Sequence, residues 1–141
     1  MESGTAVELL VYPDDCDAYG QLNQAGFLRL FERARWELLA RGPGVELFER
    51  QGVWPAVRKT SVEFLRRVYP GERLRFELEV GHWGETSFTL LQRARKLGEA
   101  EIAAECETVF VTIGGDGRPV RVPAAIGQFF GVRASRRTGA G

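Results

Sequence analysis

Only one long stretch of this chain repeats its apolar residues at the spacing of an α-helix. Across residues 25–39 they fall at Phe27, Leu30, Phe31, Ala34 and Leu38. That rhythm, close to ~3.6 residues, gathers them into one stripe to be buried. Arg29, Glu32, Arg33, Arg35 and Glu37 cover the rest of the helix surface, with Arg33 and Glu37 at the spacing of an ion pair one turn apart. After Gly52 the rhythm changes to alternation. A chain with one amphipathic helix and a long run of alternating segments must lay that helix over one face of a sheet.

The alternation is clearest over residues 73–83, where Leu74, Phe76, Leu78 and Val80 point one way and Arg75, Glu77 and Glu79 the other. Similar segments are expected over 57–68, 86–96 and 100–113, separated by turns at 69–72, 84–85 and 97–99. A short strand over 6–12 precedes the helix and is stopped by Pro13. Residues 45–51 suit another turn or two of helix, and 123–130 a short final one with Pro123 at its start. Short turns imply that successive strands pair as antiparallel neighbours. The expected fold class is therefore α+β, in one domain over residues 1–130. Residues 131–141 are expected to form a mobile basic tail. One helix cannot cover so long a sheet, so self-association is expected.

Composition excludes several functions. The chain has 19 basic and 19 acidic residues, so no net charge invites nucleic acid. No apolar run is long enough to span a bilayer, and residues 1–5 lack the pattern of a secretory leader, which makes the cytoplasm the expected compartment. Cys16 and Cys106 are far apart in sequence and are expected to be thiols. His82 is the single histidine, so neither a catalytic metal nor a two-histidine mechanism is expected.

Chemistry concentrates in the loop from Asp14 to Asn23. Asp17 lies just ahead of the helix, where free N–H groups and aligned peptide dipoles favour negative charge. A carboxylate there is a nucleophile or base beside ready-made oxyanion donors. Gly20 lets the loop turn tightly, and Asn23 suits the helix N-cap. The competing reading makes Asp17 an ordinary turn residue. Asp14 and Asp15 read as a solvated loop.

The string Val11-Tyr12-Pro13-Asp14-Asp15-Cys16-Asp17-Ala18-Tyr19-Gly20, followed by Phe27-Leu28-Arg29-Leu30-Phe31-Glu32-Arg33-Ala34-Arg35, resembles the hotdog-fold acyl-CoA thioesterases of the 4-hydroxybenzoyl-CoA thioesterase type. The turn Tyr69-Pro70-Gly71-Glu72-Arg73-Leu74 and the segment Gly117-Arg118-Pro119 through Val122-Pro123 are similar to theirs as well. The likeness covers about residues 6–130.

The resemblance implies a long helix wrapped by a curved antiparallel sheet, protomers paired side by side as a dimer or tetramer, and an active site at their boundary. It implies hydrolysis of an acyl-CoA thioester, with coenzyme A entering as part of the substrate and no separate cofactor. Asp17 takes the catalytic position, the N–H near Gln24 the oxyanion position, and Glu32 that of an acid on the helix. Candidate partners for the coenzyme A phosphates are Arg58, Lys59, Arg66, Arg67, Arg93, Arg95 and Lys96. Gly20, Asn23, Lys59 and Ser87 are carried forward as substrate contacts. Trp54, Trp83 and Phe88 suit either an acyl pocket or core packing. The chain departs from many relatives in having Gln21 and Gln24 where they have histidine, and Pro13 where some have tyrosine. Three rival readings share the scaffold: a non-catalytic acyl-CoA-binding module, a hydratase or dehydratase using His82, and a structural oligomer without a site.

Overall fold

A computed structural model describes residues 6–131; the expected tail beyond them lies outside the described residues. In chain order the elements are β1 (Ala6–Leu10), a 3-10 turn (Pro13–Asp15), α1 (Gln24–Ala40), α2 (Glu46–Glu49), β2 (Val53–Phe64), β3 (Arg73–Trp83), β4 (Ser87–Lys96), β5 (Ile102–Gly114) and α3 (Ala124–Phe129). The strands form one five-stranded sheet in the order β1-β3-β4-β5-β2. The expected α+β class is the one adopted. β1 pairs with β3 antiparallel, setting Leu9 opposite Leu74 and Val7 opposite Phe76. No helix among the described residues is long and apolar enough to cross a membrane.

One expectation about pairing fails. β2 and β3 follow each other in sequence but are not neighbours: β2 lies at the far edge, beside β5. β2 also begins and ends about a turn earlier than alternation suggests, at Val53 and Phe64. The reason is a crossing segment, residues 65–72. Its first two amides, Leu65 N–H and Arg66 N–H, both bond to the Ala103 carbonyl, at 2.8 and 3.0 Å. Further on the Val68 carbonyl accepts Leu22 N–H at 2.8 Å, and Gly71 N–H donates to the Val11 carbonyl at 2.8 Å. Val68 is fully buried. The segment therefore satisfies its backbone against β5 and the loop ahead of α1, not against a hairpin partner.

The chain divides into two compact units. Of the described residues, the first takes in 6–42, Val62–Leu78 and Gln92–Cys106. Its core joins Leu30 and Phe31 of α1 to Leu74 and Phe76 of β3, with the Phe31 and Phe76 rings edge to face at 5.3 Å. A polar pair crosses this core. Gln92, 1% exposed, donates to the Phe31 carbonyl at 3.1 Å and accepts from Arg35 Nη1 at 3.0 Å. Arg35, expected at the surface, is thus drawn in between helix and strand. Burial lowers its guanidinium from the usual arginine range, while Cys106 and Glu32 act in the opposite direction. The second unit comprises, of the described residues, Pro43–Ser61, Glu79–Leu91 and 107–131. Phe88 stacks on Phe110 at 5.2 Å and lies against Trp83 at 5.2 Å, so both Phe88 and Trp83 belong to its core. Trp54 and Val57 stay 57% and 56% exposed along β2.

Candidate active site

Residues 16–22 form a minimal hairpin. Cys16 bridges Leu22, Asp17 N–H donates to the Gln21 carbonyl at 3.1 Å, and Gly20 N–H to the Asp17 carbonyl at 2.9 Å. Gly20 takes φ +76°, a left-handed conformation that side chains resist. Asp17 starts this turn. Its Oδ1 accepts Tyr19 N–H at 2.9 Å and, at a long 3.5 Å, Gln21 N–H. The carboxylate is therefore satisfied on one oxygen by its own turn and not by the helix-start amides. Oδ2 accepts no hydrogen bond among the described residues.

The two neighbouring acids behave differently from one another. Asp14 is exposed, as expected. Asp15 is not solvated: it is 5% exposed, takes Tyr12 N–H on Oδ2 at 3.0 Å and faces Arg29 Nε at 3.8 Å. It closes the 3-10 turn and ties the loop to α1. The backbone fit there is close, since a methyl group on Gly26 would overlap the Asp15 carbonyl and the Leu22 side chain. Cys16, between the acids, has its thiol pushed up by burial first and then by Asp15, Asp17 and Asp14. Cys16 and Cys106 are both free.

At the helix start Asn23 is the N-cap, as its sequence position suggests. Its Oδ1 accepts Gly26 N–H at 3.0 Å and its carbonyl accepts Phe27 N–H at 2.9 Å. The amides of Gln24 and Ala25 have no hydrogen-bond acceptor among the described residues. Of the two, Gln24 lines a cavity of about 290 Å³. Gln21, Asn23 and Gln24 form its polar wall, Leu22, Phe27 and Phe64 its apolar wall, and Leu65, Arg66 and Arg67 of the crossing segment the remainder. The Phe27 and Phe64 rings stand 5.5 Å apart. Arg66 is paired with Glu101. Arg67 makes no ion pair among the described residues. Helix-start dipoles and the Arg67 guanidinium give this cavity an electropositive side next to an aromatic one.

The expected site residues divide accordingly. Asn23 and Gln24 line the cavity. Asp17 and Gly20 belong to the hairpin that closes on Gln21, itself part of the wall. Glu32 lies eight residues beyond Gln24, roughly 12 Å along the axis, exposed and away from the lining. Lys59 is exposed on β2, and Ser87 is buried at the start of β4; neither lines the cavity. Of the other cations proposed for phosphate, Arg95 is held by Glu77 at 3.0 Å and Lys96 by Glu72 at 3.3 Å. Sequence reasoning had not singled out Phe27, Phe64 and Leu65 as lining residues. Their meeting depends on the crossing segment, which no periodicity announces. Among the described residues no three histidine, cysteine or acidic side chains gather as a metal site would require.

The profile of the thioesterase-like superfamily matches residues 11–130. Among curated protein sequences none matches. Several solved structures do. A thioesterase from Thermus thermophilus, complexed with coenzyme A and zinc, is 28% identical with a TM-score of 0.75, over 90% of this chain and 91% of that one. A 1,4-dihydroxy-2-naphthoyl-CoA thioesterase from Synechocystis is 19% identical with a TM-score of 0.79, over 89% of this chain and 94% of that one. A gentisyl-coenzyme A thioesterase is 14% identical with a TM-score of 0.75, over 86% of this chain and 98% of that one.

Proposed function

Because this chain belongs to the thioesterase-like superfamily and has its hotdog fold, we propose that it hydrolyses an acyl-CoA thioester at the cavity under the start of α1. One observation carries the reading: Gln24, whose amide is unclaimed among the described residues, lines a partly aromatic cavity whose wall, at Gln21, is also the end of the Asp17 turn. A thioester carbonyl placed there meets, along one polar wall, an oxyanion donor at Gln24 and the end of the carboxylate loop at Gln21.

Asp17 Oδ2 is the reacting oxygen, since Oδ1 is committed to Tyr19 N–H. As a base it takes a proton from water while the water oxygen bonds to the carbonyl carbon. The C–S bond then breaks and the proton passes to the departing thiolate. As a nucleophile it bonds to the carbonyl carbon, the C–S bond breaks to release the thiolate, and water opens the resulting acyl anhydride in a second step, one of its protons going to the thiolate. Both routes yield free acid and coenzyme A. The Gln24 amide bears the developing charge. Arg67 receives an anionic part of the coenzyme A moiety, and Phe27 with Phe64 receives the acyl group. Glu32, Lys59 and Ser87 are left outside this arrangement. No redox or metal cofactor enters either route. The reaction belongs to the cytoplasm, and a second copy seated along the sheet edge completes the site's boundary.

The test is turnover of short, long and aromatic acyl-CoAs, followed by thiol release, in wild type and Asp17→Asn. The asparagine keeps an oxygen for Tyr19 N–H, so the turn is retained. Turnover is expected to fall by about 10²–10⁴-fold. Unchanged turnover in that variant would remove Asp17 from the chemistry. Binding of acyl-CoA by wild type with no thiol release from any of them would favour the non-catalytic binding module.

A further inference from the structure

Asp15 is a costly residue to keep inside. It is 5% exposed, in a loop where Asp14 is exposed and Asp17 partly so. Burying a carboxylate is unfavourable unless it is paired. Its side-chain partners among the described residues are few. Oδ2 takes Tyr12 N–H at 3.0 Å, and Oδ1 faces Arg29 Nε at 3.8 Å, an ion pair too long for a hydrogen bond. Tyr12 N–H needs only a neutral oxygen, which asparagine or serine would supply. Arg29 is 49% exposed, and a pair with one member in water adds little to stability. Neither the turn nor stability accounts for the charge.

What the charge adds is direction. Asp15 meets α1 at two points about one turn apart. Its carbonyl oxygen lies against the bare Cα of Gly26, so close that a Cβ there would come within 2.2 Å. Its carboxylate reaches Arg29, three residues further along the same face. The residues fastened in this way adjoin the chemistry: Asp17 stands two places beyond Asp15, and Gln24 two places before Gly26. The hairpin already gives one bridge from the carboxylate to the oxyanion amide, through the Asp17 N–H bond to the Gln21 carbonyl. One bridge leaves the turn free to pivot; the Asp15 contacts supply a second. We infer that Asp15, held by Arg29, is a positioning residue that sets the separation of the Asp17 carboxylate from the Gln24 amide. The inference rests on the hydrolysis proposed for this cavity. Asp15 itself touches neither substrate nor reacting atoms.

The test measures kcat, KM, the thermal midpoint and backbone hydrogen exchange over residues 16–22. The proteins are wild type, Asp15→Asn, Arg29→Met, Asp17→Asn and Asp15→Asn/Asp17→Asn. Asparagine keeps an oxygen for Tyr12 N–H, and methionine keeps the apolar stem of Arg29. Arg29→Met, at a half-exposed position, keeps the test open should Asp15→Asn fold poorly. Both positioning variants are expected to lose about 10–10²-fold in kcat, with KM and the midpoint close to wild type. Exchange of the Asp17 and Gly20 amides is expected to quicken in both. On the Asp17→Asn background the Asp15 change should lower kcat no further, since the carboxylate it aims is already gone. Wild-type kcat in both positioning variants while Asp17→Asn loses turnover, or a further fall in the double variant, would overturn the inference and leave Asp17 in its role. Unchanged exchange over 16–22 in both positioning variants would overturn it whatever the turnover. Full turnover in Asp17→Asn would remove the reading it rests on, and the inference with it.

Discussion

Asn23 and Gln24 divide the helix start between them. Asn23 spends its side chain on Gly26 N–H, so the cap is made locally and the Gln24 amide is left over. That division permits an unusual substitution. Proline is well accepted at the first helical position, and Asn23 is already extended at φ −101°, ψ −176°, as a residue before proline must be. Gln24→Pro is therefore expected to keep the thermal midpoint while lowering kcat by about 10²–10³-fold, the cost of one oxyanion donor. A variant with full kcat would place the oxyanion elsewhere. The same loop shows why some residue roles escape sequence. Asp14, Asp15 and Asp17 are alike on paper, but Tyr12 N–H and Arg29 select Asp15 for burial, and only tertiary structure makes that choice. Cys16 reports on the arrangement. Burial and then three carboxylates disfavour its thiolate. Its alkylation by iodoacetamide at pH 8 should be slower than that of a small free thiol and should accelerate as pH rises. Asp17→Asn removes one of the negative charges and should speed the reaction at any given pH; the reverse order of rates would contradict the charge assignment.

At the scale of elements, α1 is fastened to the sheet by more than its apolar stripe. Gln92 on β4 holds the Phe31 carbonyl and the Arg35 guanidinium together in a buried layer. Gln92→Leu leaves that guanidinium without this acceptor and is expected to cost about 1–3 kcal/mol in urea unfolding. Gln92→Leu/Arg35→Met removes both partners and should recover part of the loss; additive losses would show the two residues to be uncoupled. The helix and three of the strands were legible because their apolar rhythm survives in the fold. β3 in particular runs from Arg73 to Trp83, as its alternation indicates. The partner of β2 was not legible. Turn residues at Tyr69-Pro70-Gly71-Glu72 mark a change of direction but carry no information about which strand lies alongside. Arg35 misled for a related reason: its charge argues for solvent, and its burial follows from tertiary partners, Gln92 among them.

At the scale of the molecule, the long edge strand β2 leaves Trp54 and Val57 exposed beside a row of backbone groups with no neighbour strand among the described residues. An edge of that kind is a surface for association. If a second copy completes the site, activity per chain depends on assembly. Thioesterase activity should then fall on dilution as the assembly separates, in step with the mass seen by light scattering. Activity per chain that is constant while the mass halves would mean that each protomer works alone. A different consequence follows from the crossing segment. Residues 65–67 touch the cavity, yet the Leu65 and Arg66 amides lean on the sheet through a single carbonyl, that of Ala103. Substitutions in this stretch can recontour the chamber with little disturbance to the ladder. A lineage built on this scaffold is thereby free to change its diet of acyl groups while its architecture stays put.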